Sequence, residues 1–262
     1  MVEAIHRPEG GGAMLDLGAE QLVFPIKVEQ GGESYLALFS MSVPGEHEII
    51  RMLDSSVNKF HDEGRARFVI EPASREAQIQ AFDRHFVSIG GVDGEPTVEQ
   101  QRAWLDRHPR LKLRVLAEGF GGAEFEPEPE NPGTERRGLR ISDIVENRVR
   151  LAWTLWDPTS AAVERVVMSH VLRPETAADD KAYRQASARV ETHRRRNSWR
   201  PLIDHGSICA LYDRMAERAE GCVIGGQPCR PENKSDWVAR VPAWHKAAVV
   251  QEVFSGGIVK NA

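Results

Sequence analysis

Two stretches of this chain run through the same succession of patterns, and that constrains its fold more than any other feature. In the first, Val23–Glu29 and Tyr35–Ser42 read as paired strands. Tyr35, Ala37, Phe39 and Met41 share one face, and Gln30-Gly31-Gly32-Glu33 supplies the turn. Pro44 stops the second strand. Ile49, Ile50, Leu53, Val57 and Phe60 then recur at helical spacing, which predicts a helix from Glu46 to about Asp62. Arg67–Glu71 is a short strand candidate. Ser74 reads as the cap of a helix that carries Ile79, Phe82, Phe86 and Val87 and ends at Gly90-Gly91. Thr97 and Gln100 form a capping box before a last helix, which holds Trp104, pauses at Pro109 and resumes to Phe120.

The second stretch begins with Val149, Leu151, Trp153 and Leu155 alternating with more polar neighbours, a turn at Asp157-Pro158-Thr159-Ser160, and a return strand over Val163–Leu172. Pro174 stops it, as Pro44 does earlier. Helices are predicted over Thr176–Arg196 and Pro201–Glu220, the latter ending at Gly221. Ser235 is expected to cap a final helix with Trp237, a pause at Pro242 and an end at Phe254.

The two stretches can be laid over each other. Phe82-Asp83-Arg84 matches Tyr212-Asp213-Arg214 at an offset of 130, as Pro44 matches Pro174 and Arg65 matches Arg195. Trp104, Arg107 and Pro109 match Trp237, Arg240 and Pro242 at 133, and Lys112 matches Lys246 at 134. Small loop insertions account for the drift. The expected fold is therefore α+β. Residues 15–122 and 139–257 form two related units, each a β-hairpin followed by about three helices, joined by an acidic, proline-rich linker over 123–138. The linker follows from Glu-Phe-Glu-Pro-Glu-Pro-Glu, in which prolines block regular hydrogen bonding and glutamates repel one another.

Charge is divided along the same lines. Residues 1–122 carry 13 Lys+Arg against 19 Asp+Glu, while residues 135–262 carry 21 against 16. An acidic half and a basic half suggest contact between halves or between copies. Three cysteines are too few for a disulfide scaffold and fit a reducing compartment. Neither a signal peptide nor a membrane span is expected.

Residue types that carry chemistry occur without a diagnostic spacing. Cys209, Cys222 and Cys229 with His205 and His245 do not have zinc-site spacing, so buried thiols are expected and no metal. Cys209 lies one helical turn from His205, but no nucleophile elbow is present. The glycine pairs lack the lysine and setting of a phosphate loop. No catalytic residue and no cofactor is expected. The concentrated basic patch is Arg189–Arg200, with Arg194, Arg195 and Arg196 at its centre and Trp199 beside them. It suits phosphate, the Glu124–Glu130 linker or another acidic surface. The acidic overall balance argues against a dedicated nucleic-acid binder.

The C-terminal stretch, residues 205–257, carries Leu211-Tyr212-Asp213-Arg214, Glu220-Gly221-Cys222, Trp237 and Val241-Pro242-Ala243-Trp244-His245-Lys246. In this it resembles small phage tail-assembly-chaperone-type and tail-accessory proteins. The resemblance implies a non-enzymatic assembly factor, working in the host cytoplasm or on the virion, that binds other virion components or copies of itself. Trp153, Trp156, Trp199 and Trp244, with Arg194, Arg195 and Arg196, are the expected partner-binding residues. Two alternatives stay open. One is a small enzyme or ligand-binding protein with a pocket between the units, gathering His205, Cys209 and Asp213. The other is nucleic-acid binding through the Arg189–Arg200 patch.

Overall fold

Alternating apolar residues build two long hairpins, which anchor the two principal sheets. The computed structural model describes residues 4–7, 12–56, 59–62, 65–68, 72–121, 124–127, 146–187, 189–193 and 198–259. For residues 55–56, 59–62, 65–68, 72–74, 189–193, 198–202 and 256–259 it gives the backbone course alone. Two short strands, β1 (Ile5–His6) and β2 (Met14–Asp16), precede the first long hairpin, β3 (Gln21–Gln30) and β4 (Glu33–Ser42). Then come α1 (Glu46–Ser56), a small ladder of β5 (Lys59–Asp62) and β6 (Arg65–Phe68), α2 (Pro72–His85), β7 (Phe86–Gly90), α3 (Val98–Asp106) and α4 (Pro109–Phe120). After β8 (Glu124–Phe125) the second long hairpin is β9 (Asn147–Asp157) and β10 (Ala162–Leu172). It is followed by α5 (Ala177–Ser187), the ladder β11 (Arg189–His193) and β12 (Ser198–Leu202), α6 (His205–Met215), β13 (Ala216–Ile224) and β14 (Gln227–Cys229). Short α7 (Lys234–Trp237) and long α8 (Ala243–Val259) close the order.

The fold is α+β, with two principal sheets. One has the order β3-β4-β7; the other has the order β1-β2-β13-β10-β9-β8, with β14 on β13. Pro25 sits in β3, an edge strand, where a missing N–H is tolerated. The sheets meet through an aromatic cluster. Phe24 of β3 lies 5.0 Å from Phe120 and 5.9 Å from Trp153, and Trp244 lies 5.2 Å from Phe120 and 5.4 Å from Trp153. Helix α1 joins this contact from the other side. Glu46 pairs with Lys246 at 2.7 Å and Asp54 with His205 at 2.6 Å.

Four expected helices end early and give way to strands. The helix from Glu46 stops at Ser56, with β5 after it. The helix expected to reach Gly90 ends at His85, and β7 pairs with β4, Phe39 opposite Ile89 and Leu38 opposite Gly90. Phe82 and Phe86 still stack, rings 5.5 Å apart, across the helix–strand junction. They thus mimic a helical pair at i, i+4 although Phe86 is extended. Likewise α5 ends at Ser187 before β11, and α6 ends at Met215, where Ala216 turns extended (φ −61°, ψ 133°) and enters β13. In each case sheet hydrogen bonding takes over from a helix with no breaker at its end. Ser235 does not cap the last helix; it lies inside α7.

The start of the first expected unit and the start of the expected linker both reach the other sheet. Leu15 pairs in parallel with Cys222, and Phe125 pairs with Leu151 at the opposite edge. The start of the expected linker is thus a strand. Glu124 and Glu126 are held by Arg165 at 3.0 and 2.6 Å; the side chains of the Arg189–Arg200 segment lie outside the described residues.

Candidate functional site

The expected anchors go to different places. Trp153 and Trp244 lie in the core, 3% and 5% exposed, and the Trp153 Nε1–H donates to the Gly119 carbonyl at 2.7 Å. They join the sheets and are not displayed to a partner. Trp156 is half-buried on β9 opposite Val163, which is exposed. Arg194, Arg195 and Arg196 lie outside the described residues, and of Trp199 only the backbone is described, paired with Thr192.

His205, Cys209 and Asp213 line none of the cavities around Trp104 and Trp244. His205 Nδ1 bonds Asp54. The Cys209 thiol donates to the Ala243 carbonyl at 3.5 Å, and burial pushes its pKa up to about 12, which keeps it protonated and unreactive. Cys222 and Cys229 face each other, Sγ to Sγ 3.5 Å, both buried; the contact with Cys229 and burial together raise the Cys222 pKa. Asp213 is held upward by burial, opposed by Lys246, whose Nζ lies 2.7 Å away, close but off the line of a directed hydrogen bond. A cleft of about 280 Å³ lies within the first half, mostly apolar through Ile49, Met52, Leu113, Leu116 and Phe120, with Gln78 in its wall and Trp244 as its one residue from the second half. Among the described residues no group of three His, Cys, Asp or Glu is arranged for a metal ion, and no helix is long and apolar enough to cross a membrane.

The deepest polar cluster is structural in character. His170 Nδ1 and the Tyr212 hydroxyl share a hydrogen bond of 2.7 Å, and His245 lies 5.5 Å from His170, ring to ring. All three are buried. Burial lowers both imidazoles, His245 to about 3, and raises Tyr212, so all are neutral near pH 7. His170 Nε2 and both His245 ring nitrogens have no hydrogen-bond partner among the described residues.

The groove lies elsewhere, around Trp104. Helix α3 is fastened to β7 by Gln101, whose side chain accepts from the Ile89 N–H at 2.8 Å and donates to the Ile89 and Pro96 carbonyls. Thr97 and Gln100 close the expected capping box. Arg102 donates to the carbonyls of Asp83 and Phe86 and so ties α3 to the end of α2. This mounting holds Trp104 half-buried at the junction with α4, its indole 4.7 Å from the His108 ring. Trp104 is shared by two adjoining cavities. One, of about 520 Å³, lies over β3, β4 and β7 and is lined by Val28, Tyr35, Ala37, Ile89 and Pro96. The other, of about 720 Å³, is ringed by Lys27, Arg75, Arg107, Arg110 and Arg114, with Glu29 as its one carboxylate.

Sequence reasoning placed Trp104 in a helix and passed over this groove. Arg107, Arg110, Lys112 and Arg114, crowded into an acidic half, were the available signal. Lys112 proves to be buried and turned to Asp83 and Asp106, 2.6 Å from each. No protein-family model matches the chain, and no curated protein or solved structure was found to be similar to it.

Proposed function

We propose that this chain is a non-enzymatic protein-interaction factor built from two copies of one unit, and that the first copy kept a recognition groove that the second has closed. Several pairs of facts support the duplication. A long hairpin, a helix, a small ladder, a helix, a strand and further helices follow in the same order twice. Strand β7 pairs with β4, and β13 with β10, each with a register break near the same end, at Ser40/Met41 and at Val171/Leu172. Gly91 and Gly221 follow at the same distance, both with positive φ (72° and 76°), packed against the Leu36 and Val167 carbonyls. Buried Lys112 pairs with Asp83 at 2.6 Å, and buried Lys246 with Asp213 at 2.7 Å. Arg84 pairs with Glu48 as Arg214 does with Asp179.

The observation that carries the function is the difference between the matched tryptophans. Trp237 is fully buried, and its Nε1–H donates to the Arg230 carbonyl at 2.8 Å, under the segment that follows β14. Among the described residues no such segment covers Trp104, which stands between two cavities. A half-buried indole in a groove with a cationic rim suits recognition of another chain. The buried, protonated Cys209 gives little support to a small-enzyme reading. A setting in a phage or prophage tail module follows from the C-terminal resemblance alone, and adjoining tail-tube and tape-measure genes are the neighbours it expects.

Selection of a random peptide library on the purified protein tests the groove. Enriched peptides should bind at least about tenfold more weakly to Trp104→Ala. They should bind unchanged to Trp156→Ala, with both variants checked by thermal unfolding. A library that yields only peptides indifferent to Trp104 removes the groove from the function.

A further inference from the structure

We infer that the groove beside Trp104 takes an acidic, extended segment of a partner protein; this rests on the groove reading above and names its occupant. The first support is charge. Lys27, Arg75, Arg107, Arg110 and Arg114 converge on one cavity, and among the described residues Arg114 alone has a carboxylate partner, Glu118. Like charges gathered on one wall repel, and an incoming acidic chain relieves that repulsion while it gains on-rate and orientation.

The second support is shape. The cationic cavity runs along the end of β3, with Lys27, Val28, Glu29 and Gln30 in its wall. Strand β3 is the outer strand of its sheet, and no described strand pairs with its outer side. Its edge can therefore accept backbone hydrogen bonds from an extended segment, which fixes the direction in which the ligand lies. The third support is the cavity next door, which has an apolar wall and carries Asp93 and three glutamines elsewhere in its lining. Val28, Ala37, Ile89 and Pro96 with Trp104 offer a seat for one apolar side chain of that segment. Together these describe a ligand with carboxylates toward Arg107 and Arg110 and an apolar residue at Trp104. A single-stranded nucleic acid fits less well. It needs a row of stacking faces, and the cavity holds one indole, already packed against His108.

The test is fluorescence anisotropy of the full chain with three labelled probes. One is a synthetic peptide alternating glutamate and leucine around a central phenylalanine; the second has glutamine for every glutamate; the third is oligothymidylate. The acidic peptide should bind at least about tenfold tighter than its glutamine counterpart, and its binding should weaken with added salt. Arg107→Glu with Arg110→Glu should abolish that preference, and Trp104→Ala should weaken both peptides. Thermal unfolding of each variant shows that the fold is retained. Equal binding of the two peptides, still dependent on Trp104, would overturn the acidic ligand and leave the groove standing. Tighter binding of oligothymidylate would overturn it in favour of nucleic acid. Binding of no probe in a Trp104-dependent way would overturn both the ligand and the groove.

Discussion

Replacing His245 should change how the protein responds to acid, by an amount that its burial fixes. The imidazole is 1% exposed, lies 5.4 Å from the Trp153 ring and 5.5 Å from His170, and has no hydrogen-bond partner at either nitrogen among the described residues. Burial holds its pKa down at about 3, against roughly 6.5 in an unfolded chain. A depressed histidine gains its proton only when the chain unfolds. Its contribution is therefore complete above the unfolded value and is lost as pH falls from about 6.5 toward about 3. Because each tenfold in proton affinity is about 1.4 kcal/mol, the loss amounts to about 2 kcal/mol by pH 5 and about 3 kcal/mol by pH 4. His170, also lowered by burial, steepens the same window. Carboxylates act lower: Arg173, with Thr176 and Arg214, holds Asp179 far below its usual range, so its contribution drains only below about pH 4. The assay is urea unfolding followed by tryptophan fluorescence between pH 7 and 5. His245→Phe removes two unpaired polar atoms from the core, so it should be at least as stable as the parent at pH 7. It should also lose about 2 kcal/mol less on acidification to pH 5. His245→Leu guards against overpacking by the larger ring. Stability curves for parent and both variants that run parallel across this window would refute the buried neutral imidazole.

Two further substitutions probe the joints. Gly221 has φ +76°, and a Cβ there would lie 2.0 Å from the Val167 carbonyl oxygen. Gly221→Ala should therefore cost more than the about 1–2 kcal/mol of a left-handed conformation, on the order of 3 kcal/mol or above, read from the urea midpoint. Lys246→Met should destabilise by about 3 kcal/mol, the low end for a broken buried pair, because Glu46 and Asp213 keep 31% and 37% of their side chains exposed. Glu46→Gln and Asp213→Asn added to Lys246→Met should restore most of that loss in the same measurement.

The hairpins were legible because their signal is local. Alternation over Val149–Leu155 and the Gly31-Gly32 turn placed β9, β3 and β4 within a residue or two of their ends. Strands β7 and β13 were not legible. Phe82 and Phe86 keep helical spacing across the junction, and Met215 and Ala216 are both buried, so no glycine or proline marks where helix becomes strand. What ends the helices is the edge of β4 and of β10, which is long-range information. The groove was hidden for the same reason. Trp104 and Trp237 stand in matching sequence contexts, and only the tertiary cover from the segment after β14 separates a buried indole from an open one.

The parallel pairing of Leu15 with Cys222 joins positions about two hundred residues apart, a long closure in chain terms. During synthesis β2 emerges well before the strand it will lie against. Paired only with β1, it must wait until β13 has left the ribosome, so the larger sheet is completed late. A shortened chain that begins at β3 would take from Cys222 and Val223 the strand they pair with, and leave β13 held by β10 and β14 alone.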